Sequence, residues 1–106
     1  MSETITYADK VWLWTSTTSP GSWHFLTIDG AAGEAIAAHE AMRRLELGGG
    51  RGFGSVKVRA LVGQSEWSTS VFPSSDRGFI LPLKAAIRKA EGIAQGSQVT
   101  AELELL

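Results

Sequence analysis

The stretch Gly54-Ser55-Val56-Lys57-Val58-Arg59-Ala60-Leu61-Val62-Gly63-Gln64-Ser65-Glu66-Trp67-Ser68-Thr69-Ser70-Val71-Phe72-Pro73 decides the fold. Side chains along a strand point alternately to its two faces. Val56, Val58, Ala60 and Val62, alternating with Lys57 and Arg59, therefore describe a strand with one buried face. Gly63-Gln64 serves as a short turn into a second strand over residues 66–72. There Trp67, Thr69 and Val71 share one face, and Ser68 and Ser70 share the other. Pro73 has no amide hydrogen to give to a ladder and ends the strand.

Toward the C-terminus, residues 74–78 hold turn formers, and Phe79-Ile80-Leu81 is a short strand. Pro82 suits the start of a helix, where its missing amide hydrogen costs nothing. Leu83, Ala86, Ile87 and Ala90 then repeat at helical spacing, and Gly92 is the stop. After the turn at Gln95-Gly96-Ser97, Val99, Ala101, Leu103 and Leu105 alternate with Thr100, Glu102 and Glu104, which marks a last strand.

Toward the N-terminus, residues 5–15 form a β-rich stretch that becomes apolar on both faces near Val11, Trp12, Leu13 and Trp14. Turn residues at 16–22 separate it from a second strand at 23–28, at hairpin distance. Asp29 is an N-cap candidate for a helix over residues 31–45. Its apolar stripe is Ala32, Ala35, Ile36, Met42 and Leu45, and its wet side is Glu34, Glu40, Arg43 and Arg44. The glycines of residues 48–54 make a loop. The expected fold class is mainly β, of α+β type: a small six-stranded, mostly antiparallel barrel with two helices plugging its open ends.

The 106 residues suit a single domain spanning 1–106, and 43% hydrophobic with 20% charged residues is a globular composition. With no cysteine, disulfides, thiolate catalysis and the usual structural zinc sites are excluded, and no cofactor is called for. A net charge of -1 makes no overall electrostatic case for nucleic acid. Residues 51–89 nonetheless carry seven basic side chains against Glu66 and Asp76. No apolar run approaches the ~20 residues of a membrane helix, and Met1-Ser2-Glu3-Thr4 has no signal character, so the expected location is the cytoplasm, with no membrane partner.

Familiar catalytic patterns fail on inspection. Phosphate loops place glycines after a strand and before a helix, and here that order is reversed. His39-Glu40-Ala41-Met42-Arg43 begins like a zinc-protease helix, but Arg43 stands where the second histidine is needed. No Gly-x-Ser-x-Gly elbow surrounds Ser68, Ser70, Ser74 or Ser75.

One constellation remains as a ligand-binding candidate: Lys57 and Arg59 on one strand face, Ser68 and Ser70 on one face of the next, and Lys84 with Arg88 one helical turn apart. Trp67, Trp14, Trp23 and Phe25 would line an apolar cavity beside it. The competing reading makes the aromatics core and the charges a solvated surface.

The ordered segments 54–59, 67–73 and 81–92, with the closing strand from Gly96-Ser97-Gln98-Val99 to Leu105, resemble the bacterial family called domain of unknown function (DUF1905). The resemblance covers essentially the whole chain. It implies a small β-barrel carrying helices, found alone or beside domains linked to bacteriocin resistance, and it brings no established catalytic residues. Ser97-Gln98 stands where that family leads one to expect Gly-Asp. The functional expectation is a non-catalytic binding or interaction module for a small anionic or aromatic ligand, as monomer or homodimer. The alternative is a small-molecule enzyme using an aromatic-lined barrel cavity.

Overall fold

The computed structural model describes residues 3–15, 22–46, 54–74 and 78–106. In chain order the elements are β1 (Glu3–Lys10), β2 (Trp12–Thr15), β3 (Ser22–Ile28), α1 (Gly30–Glu46), β4 (Val56–Val62), β5 (Ser65–Pro73), β6 (Phe79–Pro82), α2 (Ala85–Glu91) and β7 (Gln98–Leu105). Every ladder is antiparallel, and the strand order is β1-β7-β4-β5-β6-β3-β2. β1 and β2 stand at opposite ends of that order, yet only Val11 separates them in sequence. The sheet therefore curls until its two ends approach each other, giving a half-barrel.

The expected class holds, with seven strands rather than six. Residues 5–15 read as one strand, but Val11 divides them, because the residues before it pair with β7 and those after it pair with β3. Val11 is buried, its N–H donates to the Ser97 carbonyl at 2.9 Å, and its carbonyl accepts the Gly96 N–H at 2.7 Å. The turn before β7 thus satisfies the backbone at the corner.

β4 follows its sequence pattern: Val56, Val58, Ala60 and Val62 are buried, and Lys57 and Arg59 are exposed. Its register with β5 sets Val58 against Thr69, Ala60 against Trp67 and Val56 against Val71 on the inner face. Gly63-Gln64 is the two-residue hairpin loop, with Gly63 at φ +59. A positive φ at the first central position matches the right-handed twist of the strands it joins. On the inner face Ile5, Leu26, Ile28, Leu81, Leu103 and Leu105 complete one apolar cluster with Ile36 of α1, Ile87 of α2 and Leu83 just ahead of α2.

Both helices depart from their sequence outlines. In α1, Ile36 is buried and Ala32 and Ala35 pack against the core, whereas Met42 and Leu45 are 60% and 77% exposed. The helix outlasts the sheet beneath it. Gly33 lies so close to the chain ahead of the helix that a Cβ there would fall 2.8 Å from the Ile28 carbonyl oxygen. The Asp29 carboxylate accepts a bond from the Tyr7 hydroxyl of β1, tying the helix entry to the sheet.

Pro82 does not open α2. It ends β6, opposite Phe25, and the Leu83 N–H still donates to the His24 carbonyl at 2.9 Å. The helix begins at Ala85, with Lys84 as its extended N-cap residue and Gly92 as its left-handed C-cap. Ile87 faces the core, and Ala86 and Ala90 lie exposed. No helix among the described residues is long and apolar enough to cross a membrane. The expected turns around residues 16–21 and 75–77 and the glycine loop through residue 53 lie outside the described residues.

Candidate functional site

Alternation assigns each strand residue to the inner or the outer face of the half-barrel. On β2 and β3, Leu13 pairs with His24, and Leu26 and Ile28 are buried, so this row faces inward. The intervening residues face outward: Trp12 lies opposite Phe25, and Trp14 opposite Trp23. The row continues across β6, where Pro82 opposes Phe25 and Ile80 opposes Thr27, and onto β5, where Phe72 opposes Ile80.

These side chains enclose an open groove of about 600 Å³, with Pro73 and Ser74 completing its lining. Trp14 is 47% exposed and Trp23 57%. The Trp12 and Phe25 rings meet at 5.1 Å with a 41° tilt, and the Trp12 indole N–H donates to the Thr27 hydroxyl at 2.7 Å. Trp12 is therefore fixed in place by packing and by a hydrogen bond. The groove lining carries no charge.

The residues expected from sequence to make a site divide between the two faces. Trp67 lies inside, opposite Ala60, and belongs to the core. It does not join Trp14, Trp23 and Phe25, which do come together. Lys57 opposes Ser70 and Arg59 opposes Ser68 on the outer face. Arg59 also lies 3.6 Å from Glu104 of β7, which offsets its charge locally.

Lys84 and Arg88 approach from the core side, because Ile87 of α2 is in the core and Glu91 accepts a bond from Ser65, in the inward row, at 2.5 Å. Arg88 donates from Nε to the Leu83 carbonyl at 3.0 Å. Lys84 is exposed and makes no ion pair among the described residues. The outer-face pair and the helix pair thus belong to different surfaces.

His24 sits on the inner side. Its Nδ1 is buried without a hydrogen-bond partner among the described residues. Burial and then the nearby Arg88 charge hold its pKa below the ordinary 6.5. Ser68 and Ser70 face the opposite way and form no triad with it. His39 Nε2 lies 3.0 Å from the Leu106 carbonyl oxygen, and no group of metal-ligating side chains assembles among the described residues.

Sequence reading found Trp14, Trp23 and Phe25 but missed Trp12, Phe72, Ile80 and Pro82 as their neighbours. The available signal was Trp12-Leu13-Trp14, apolar on both faces of a strand that this sheet buries on only one.

This arrangement defines a small antiparallel half-barrel domain with an external aromatic groove. The chain belongs to the family described as Domain of unknown function (DUF1905), whose model matches residues 9–103 and so takes in every residue of the groove. No curated protein matches the chain.

Proposed function

We propose that this protein is a non-catalytic binding module that takes a small, ring-bearing apolar ligand in the groove of Trp12, Trp14, Trp23, Phe25 and Phe72. The observation that carries this reading is the groove itself, about 600 Å³ and walled by aromatic side chains on the water side of the sheet. Small-molecule sites commonly span ~300–1,000 Å³ with mostly apolar walls. Folding gains nothing from leaving three tryptophans partly in water, whereas a ligand covering them removes that surface. At ~25 cal/mol per Å², about 100 Å² of newly covered ring surface is worth roughly 2.5 kcal/mol.

The inner face favours the same reading over an enzyme working inside the barrel. It is filled by apolar side chains, Trp67 and Phe79 included, and no polar or charged residue among the described ones is fully buried there, the half-buried His24 being the polar side chain that reaches furthest in. Titration with naphthalen-2-ylmethanol, followed by the indole N–H resonances of the four tryptophans, tests the assignment. Trp12, Trp14 and Trp23 are expected to shift and Trp67 to stay, and Trp23→Ala is expected to weaken binding without lowering the melting temperature. A response centred on Trp67, or none at millimolar ligand, overturns it.

A further inference from the structure

The outer face carries a second feature beside the groove. Lys57 lies directly opposite Ser70 on the neighbouring strand, and Ser70 is two residues from Phe72, on the same face as the groove wall. Directly opposed residues stand ~5 Å apart at Cβ and diagonal ones ~7–8 Å, within reach of a lysine side chain. The other outward cation on this strand, Arg59, has Glu104 beside it, while Lys57 makes no ion pair among the described residues. Its partner Ser70 can both donate and accept. An ammonium and a hydroxyl thus stand next to the rim of an uncharged aromatic groove.

Resting on the groove reading, we infer that the ligand is an amphipathic anion whose ring body lies against Phe72 and the tryptophans and whose acid group is held by Lys57 and Ser70. The groove lining accounts for the apolar body but offers no countercharge, and Lys57 supplies one at its β5 edge. Phosphate-type and carboxylate acids share this chemistry, and a compact ammonium serves either.

Calorimetry at low salt with naphthalene-2-carboxylate and its neutral counterpart naphthalen-2-ylmethanol tests the inference. Because Lys57 is exposed, the acid is expected to bind about fivefold more tightly than the alcohol, the upper end of what an exposed ion pair supplies. Lys57→Met is expected to abolish that preference and leave the alcohol's affinity unchanged. Lys84→Met, on the other surface, is expected to change neither, and naphthyl phosphate compared with the carboxylate distinguishes the acid types. If the alcohol binds but the acid has no advantage, or keeps its advantage in Lys57→Met, the inference fails while the groove reading stands. If neither compound binds, the groove reading fails and takes the inference with it.

Discussion

At the scale of single residues, His24 couples this fold to pH. The neutral imidazole fits its half-enclosed position on the core side of β3, and protonation there is opposed first by burial and then by Arg88. Its folded pKa is lowered, so the folded state binds fewer protons than the unfolded chain as the solution is acidified. The stability that depends on neutral His24 is complete above about pH 6.5. It declines below that, and the decline ends once the folded histidine itself protonates. Melting temperatures measured from pH 8 to pH 5 are expected to fall more steeply for the native chain than for His24→Leu. Parallel slopes would show that His24 contributes nothing. This coupling was invisible in the sequence, where His24 was one polar residue in an apolar strand. Its neighbour Arg88 lies sixty-four positions away, and only the Leu83 link between β6 and α2 brings them together.

At the scale of elements, α1 shows how far a periodic pattern can be trusted. Spacing alone identified a helix and placed Ala32, Ala35 and Ile36 toward the core, and it extended the same stripe to Met42 and Leu45. A stripe states which residues share a direction, and it says nothing about where the surface beneath them stops. Ile36→Ala is expected to cost about 2–5 kcal/mol, the range for emptying a closed site. Met42→Ala and Leu45→Ala are expected to stay within about 0.5 kcal/mol, as exposed substitutions do. Urea unfolding of the three variants measures this. Losses at Met42 comparable to those at Ile36 would mean that a further surface covers the end of the helix. The strand pair β4–β5 was legible for the opposite reason, because its register is set locally by a two-residue turn. Pro82 misled because its place in β6 comes from pairing with β3, which lies more than fifty residues earlier in the chain.

At the scale of the whole molecule, the sheet is organised by pairings that no local pattern contains. Alternation specified the two faces of β7, but not that β7 lies between β1 and β4; the same holds for β6 and β3. The β5 and β6 side of the candidate site was obscured in the same way. Trp14, Trp23 and Phe25 could be grouped from their hairpin, while Phe72, Ile80 and Pro82 reach them only through the non-local order β5-β6-β3. The corner at Val11 holds the two ends of this order together. Val11→Pro removes the N–H that reaches Ser97 and is expected to cost at least about 1–3 kcal/mol, with faster hydrogen exchange in both β1 and β2. Loss of protection in one strand alone would mean that the ends are held independently. The division of aromatic side chains between the faces also has an optical consequence. Trp67 emits from the core and Trp12, Trp14 and Trp23 emit from a surface open to water, so the native spectrum sums a short-wavelength and a long-wavelength population. Unfolding moves the first toward the red, and a molecule settling into the groove moves the second toward the blue. Stability and occupancy can therefore be followed in one cuvette as changes of opposite sign.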